Sequence, residues 1–104
     1  MMRKAFKMTV YRDCLDEYAD RHNPIWPELA DTLRGYGVSN YSIFVDTDTR
    51  TLFGYLEVAD EQHWTALSND PVCRKWWGYM KDLMETNPDD SPVSIDLREV
   101  FHLK

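Results

Sequence analysis

The chain has 104 residues, 43% of them hydrophobic and 29% charged, with four Gly and five Pro, which is the make-up of one globular domain rather than a disordered or fibrous segment. Folding at this length removes about 65% of the surface from water, enough for a core without disulfides or a structural metal. Twelve Lys and Arg against eighteen Asp and Glu leave a formal net charge of −6, a poor match for nucleic acid, an anionic membrane surface or a polyanionic substrate.

Residues 3–10 (RKAFKMTV) alternate, with Phe6, Met8 and Val10 on one face and Arg3 and Lys7 on the other, which predicts a half-buried strand. Asp13 is placed to cap the helix that follows, where Leu15, Tyr18, Ala19 and His22 share a face. Asn23-Pro24 breaks or restarts this helix, with Pro24 suited to a first helical position. Trp26, Leu29, Ala30 and Leu33 continue an apolar stripe that ends at Gly35-Tyr36-Gly37.

Two strands follow, joined by the turn-like Asp46–Arg50. Ser39, Tyr41, Ile43 and Val45 line one face of the first; Leu52, Gly54, Leu56 and Val58 line one face of the second. Asp60 and Asp70 are predicted N-caps of a two-part helix, whose second part carries Val72, Trp76, Tyr79 or Met80, and Leu83 on one face and Cys73, Trp77, Met80 and Met84 on its neighbour. Residues 87–92 (NPDDSP) form a turn-rich loop, and 95–103 read as a last strand. Strand, helix, strand, strand, helix, strand is the split pattern of an α+β, ferredoxin-like (βαββαβ) fold: an antiparallel sheet with both helices on one face, in a single domain over 1–104. Tyr41, Phe53 and Tyr55 leave apolar groups on both faces of the middle strands, so a second subunit or a ligand pocket is expected to cover the other face.

The chain carries no glycine-rich phosphate loop and no nucleophile elbow. Cys14 and Cys73 fit no metal spacing, and His22, His63 and His102 fall on three different elements. No charged leader opens the sequence and no apolar run approaches 18 residues, so a cytoplasmic protein with reduced thiols is expected. His22 follows Tyr18 by four residues, at the point where the helix breaks. Its imidazole can exchange a proton near neutrality, or it can simply cap the end of its own helix. Trp76 and Trp77 point about 100° apart on a helix, so one indole can pack in the core while the other faces a cleft. With the phenols of Tyr18 and Tyr41, they describe a pocket for an uncharged, polyhydroxylated ligand; core packing and a subunit interface are the alternatives for the indoles.

The strings RKAF, RHNPIWPEL at 21–29, VCRKWWGYM at 72–80, NPDDSPVS at 87–94 and EVFHL at 99–103, with Asn40-Tyr41, resemble the L-rhamnose mutarotase family along essentially the whole chain. The resemblance implies a cofactor-free cytoplasmic enzyme, a ferredoxin-like subunit working as a homodimer, with L-rhamnose as its small-molecule substrate. It implies His22 as proton donor, and Tyr18, Tyr41, Trp76 and Trp77 as sugar-binding residues. The family pattern often reads NPDN where this chain has NPDD, which makes Asp90 a departure bearing on substrate fit. On this reading His22 starts as imidazolium, protonates the ring oxygen and recovers the proton on closure. A cofactor-free monooxygenase of the dimeric ferredoxin-like type, or a sugar-binding module without catalysis, would use the same fold and pocket.

Overall fold

The computed structural model describes residues 1–104. Its order is β1 (Met2–Thr9), α1 (Leu15–Arg21), α2 (Pro27–Gly35), β2 (Ser39–Asp46), β3 (Thr51–Val58), α3 (Glu61–Leu67), α4 (Pro71–Met80) and β4 (Ile95–Leu97). The strands form one antiparallel sheet in the order β2-β3-β1-β4. β1 and β2 are therefore joined through helices with β3 lying between them, as the split βαβ pattern requires. Alternation does what the sequence predicts in the two central strands. Phe6, Met8 and Val10 with Leu52, Leu56 and Val58 face the helices and bury against Tyr18, Leu29, Leu67, Cys73, Trp76 and Met80.

Local signals account for most boundaries. Asp60 accepts from the backbone N–H of His63 and Asp70 from that of Val72, both at 2.8 Å, so α3 and α4 begin where the caps predict. Asp13, however, does not cap α1. It takes φ +63 in a turn, a conformation Asp tolerates, and Cys14 holds the N-cap position with no side-chain bond. Pro24 does not start α2 either. The Asn23-Pro24 peptide is cis, and Pro27 takes the first helical position, preceded by Trp26 in the extended conformation that a following proline favours. α4 stops at Met80, and Leu83 and Met84 reach the core from the turns beyond it.

β2 carries an irregularity between Ser39 and Ser42, with Asn40 at φ +50. One extra residue there puts Ser39 opposite Glu57, off the Tyr41 face, while Ile43 pairs with Gly54 on the helix side. Tyr41, two residues before Ile43, is thereby aimed at the helices.

The predicted last strand is much shorter than 95–103. β4 pairs only Ile95–Leu97 with Lys7–Ala5, and residues 98–104 have no regular structure. The rest of the apolar alternation finds no surface of its own chain: Val100, Phe101 and Leu103 are each about 80% exposed. Arg3 anchors this tail through Glu99, Nε to Oε1, at 2.9 Å. Phe44, Phe53, Ile95 and Leu97 lie on the sheet face away from the helices, set there by the pairs Phe44–Phe53, Lys7–Phe53, Lys7–Ile95 and Ala5–Leu97. All four are exposed.

One close approach holds the helix-facing side in shape. Phe6 and Gly54 are cross-strand partners, and a Cβ built on Gly54 would stand 2.5 Å from the Phe6 ring. The missing side chain lets the ring lie across β3, where it meets Trp64 at 6.2 Å and, edge-on, Tyr41 at 6.3 Å. Gly54→Ala is expected to destabilise the fold by about 1–3 kcal/mol, the usual cost of overpacking, seen as a lower urea midpoint. An unchanged midpoint would show that Phe6 has room to move.

Candidate active site

The ends of α1 and α4 meet beside β2, and the site is built from that junction. α1 runs out at Arg21, leaving the carbonyls of its last turn without helical partners. His22 follows as C-cap and its Nδ1–H donates to the Tyr18 carbonyl at 2.7 Å. A carbonyl oxygen can only accept, so the proton sits on Nδ1. Nε2 makes no hydrogen bond within the chain and is free for a ligand. The imidazole lies 4.6 Å from the Tyr18 ring and meets Trp76 edge-on at 5.2 Å.

Arg21 locks this arrangement. Its guanidinium donates to Glu17 on its own helix (3.0 Å), to Asp82 just past α4 (2.9 Å) and to the carbonyl of Tyr79. It also stacks 4.5 Å from the centre of the Tyr79 ring. Tyr79 packs on Trp26 and Trp76, and Trp26 meets Trp76 edge-on at 5.0 Å. The ionic clamp on the outside and the aromatic stack beneath it tie the two helix ends together and press His22 against Trp76.

All five residues singled out in the sequence line one cavity of about 630 Å³, in the range of small-molecule sites. Leu29, Met80 and Leu52 form part of its floor, and Asp90 and Pro92 of the late loop also line it. Trp76 is buried in the core and Trp77 half-buried, and both indoles reach the cavity wall. Tyr18 is only 6% exposed, yet its hydroxyl has no partner in the chain and is not sealed off. That hydroxyl opens toward the cavity.

Electrostatics assigns protonation states. Burial pushes the phenols of Tyr18 and Tyr41 well above the usual tyrosine value, and the neighbouring Tyr18 raises Tyr41 further. Both stay neutral hydroxyls able to donate. Burial likewise pushes the Cys73 thiol up to about 11, so it is not a thiolate. His22 is shifted the other way. Burial lowers its pKa, and the hydrogen bond to the Tyr18 carbonyl only partly opposes this. Its resting form near neutrality is the neutral imidazole, with Nε2 an acceptor. This favours a neutral starting state over the expected imidazolium.

Several contributors escape sequence reading. Arg21 and Tyr79 act through contacts from α1 to the far end of α4, about 60 residues apart in the chain; only the Glu17–Arg21 spacing of four hints at an ordered arginine. Trp26 registers in the sequence merely as part of an apolar stripe, and Trp64 as a helix residue beside His63. His63 bonds its own N-cap, Asp60, at 2.7 Å, and lies outside the cavity lining, as does His102.

The arrangement can hold a neutral ring bearing hydroxyls between aromatic faces and move a proton at Nε2. Comparison with known proteins gives the chain a family. The family model described as L-rhamnose mutarotase matches residues 3–103. An L-rhamnose mutarotase of Opitutus terrae is 57% identical over 103 residues, 99% of each chain, and one of Pectobacterium carotovorum is 54% identical over the same share. Among solved structures, the crystal structure of an L-rhamnose mutarotase from Formosa agariphila superposes with a TM-score of 0.92 at 44% identity, covering 100% of both chains. A crystal structure of an antibiotic biosynthesis monooxygenase reaches a TM-score of 0.64 at 12% identity, covering 96% of this chain and 99% of that one, a likeness of fold alone.

Proposed function

The chain belongs to the L-rhamnose mutarotase family and interconverts the α and β anomers of L-rhamnose, and on that premise we propose that His22 is the proton-transfer group of the reaction, with Tyr18, Tyr41, Trp76 and Trp77 holding the sugar. The observation that carries this reading is the unpartnered Nε2 of His22 opening into the same cavity as two phenols and two indoles.

Anomer exchange removes a proton from the hydroxyl on C1 and delivers one to the ring oxygen. Neutral His22 takes the O1 proton on Nε2. The C1–O5 bond then breaks, its electron pair goes to O5, and C1=O1 forms. The imidazolium returns the proton to O5, giving the open aldehyde and a neutral imidazole. Rotation about C1–C2 presents the other carbonyl face, and the steps reverse. One imidazole serves both transfers because O1 and O5 are attached to the same carbon. Nδ1 stays bonded to the Tyr18 carbonyl, so the ring does not turn between steps.

Trp77 offers a flat apolar face to the C–H side of the sugar ring, and Trp76 backs the imidazole. The phenols, kept neutral by burial, donate to sugar oxygens and exclude bulk water from the opening bond. The alternative of a monooxygenase rests on fold likeness alone. A binding module without catalysis would have no use for a titratable nitrogen held free at the ligand.

We place the activity in the cytoplasm, where Cys14 and Cys73, both free thiols, remain reduced. A homodimer fits the sheet: the face away from the helices exposes Phe44, Phe53, Ile95 and Leu97, and the tail exposes Val100, Phe101 and Leu103, apolar groups that a second subunit would cover.

Saturation transfer between the two anomeric proton signals of L-rhamnose reads the chemistry directly. Wild-type protein is expected to accelerate exchange, and His22→Gln to lose about 10²- to 10⁴-fold of that acceleration while remaining folded. Catalysed exchange should hold steady from mild alkalinity down through neutral pH and fall only below the ordinary imidazole range, as Nε2 is protonated. Faster exchange on acidification, or near-normal exchange in His22→Gln, would remove His22 from this role. Light scattering is expected to give twice the chain mass, and Phe53→Glu to shift it to one; a monomeric wild type would contradict the dimer.

A further inference from the structure

Asp90 is the one carboxylate among the residues that line the cavity. Its neighbour Asp89 lies outside the cavity lining and accepts at Oδ1 from both the backbone N–H and the hydroxyl of Ser91. The backbone N–H of Asp90 donates to the Asn87 carbonyl and its φ of +72 turns the loop at this position, but its carboxylate accepts no hydrogen bond from the chain. Oδ2 rests near Gly78, where a Cβ would stand 3.7 Å away, and 3.7 Å from Nζ of Lys81, beyond hydrogen-bond reach. The carboxylate therefore sits against α4 at Gly78 and Lys81, next in sequence to and one turn beyond Trp77, which lines the same cavity; it is half-buried, with no hydrogen bond from the chain.

The cavity wall offers other acceptors, the amide oxygens of Asn23 and Asn40 and the hydroxyls of Ser39 and Thr86, but all of these are neutral, and His22 is committed to the proton transfer; Asp90 alone accepts with a full negative charge. A sugar ring lying on Trp77 brings secondary hydroxyls that are themselves donors, and a carboxylate binds these as charge-assisted hydrogen bonds. We propose that Asp90 is a specificity residue that accepts hydrogen bonds from secondary hydroxyls at C2 to C4 of the bound sugar. It rests on the mutarotase reading and adds to it the group that tells a fully hydroxylated neutral sugar from one lacking a hydroxyl. Lys81 stands 3.7 Å away on the outside, leaving the oxygens of the carboxylate open to a ligand.

The test uses Asp90→Gly, which removes the side chain and suits the left-handed backbone, with Asp90→Asn as the milder variant and Lys81→Met as the control for the ion pair. Anomer exchange is measured by saturation transfer against L-rhamnose and its 2-, 3- and 4-deoxy analogues. Asp90→Gly should raise KM for L-rhamnose about 10- to 100-fold with kcat within about threefold, and Asp90→Asn should fall between it and wild type. Wild type should bind at least one deoxy analogue about tenfold or more worse than L-rhamnose, and Asp90→Gly should lose that discrimination. Lys81→Met should leave KM within about twofold. An unchanged KM in Asp90→Gly, retained discrimination between L-rhamnose and the deoxy analogues, or a Lys81→Met variant matching Asp90→Gly would each overturn the proposal. A wild-type protein that exchanges L-rhamnose normally while these outcomes fail isolates the fault to Asp90, whereas absent exchange in wild type would defeat the underlying reading.

Discussion

The Tyr18 carbonyl, orphaned where α1 ends, is the contact on which the site depends. A histidine four residues later satisfies it and, by doing so, fixes which ring nitrogen carries the proton and which faces the cavity. A helix cap and a proton-transfer group compete as explanations of His22 in the sequence; on the proposed reading they are one arrangement, the cap using Nδ1 and the proton transfer Nε2. Burial against Trp76 then lowers the affinity of Nε2 for a resting proton, which suits a group that must accept before it donates.

That contact is kept in place by interactions of different kinds. Outside, Arg21 joins Glu17, Asp82 and the Tyr79 carbonyl; inside, Trp26, Trp76 and Tyr79 stack beneath it. Exposed ion pairs alone are worth little, but here the guanidinium also covers an aromatic ring and meets a carbonyl at the end of a helix, so several weak terms share one ordered side chain. Across the sheet, Phe6 lying over Gly54 sets the height at which Tyr41 and Trp64 stand.

Much of this is legible in the sequence, for physical reasons that differ by element. Alternation in β1 and β3 follows burial of one face, so Phe6, Met8, Leu52 and Leu56 read correctly. Asp60 and Asp70 read correctly because capping is a local interaction. Asp13 and Pro24 mislead because each has a second favourable use: Asp tolerates a left-handed turn, and two nearby prolines compete for one helix start that Pro27 takes. The tail at 98–104 carries a strand's alternation without a strand's neighbour, so its pattern points to a surface outside the single chain. Tyr18, His22, Tyr41, Trp76 and Trp77 stand out by residue type and spacing, but their convergence depends on the bulge at Asn40 and the α1–α4 clamp, which no local pattern encodes.

The most direct measurement is the tautomer and charge of His22, read from the nitrogen chemical shifts and two-bond proton couplings of ¹⁵N-histidine-labelled protein at neutral pH. A neutral ring protonated at Nδ1, losing its free Nε2 only on acidification below the ordinary imidazole range, is the expected result. A ring protonated at Nε2 alone, or an imidazolium persisting at neutrality, would contradict the roles assigned to both nitrogens.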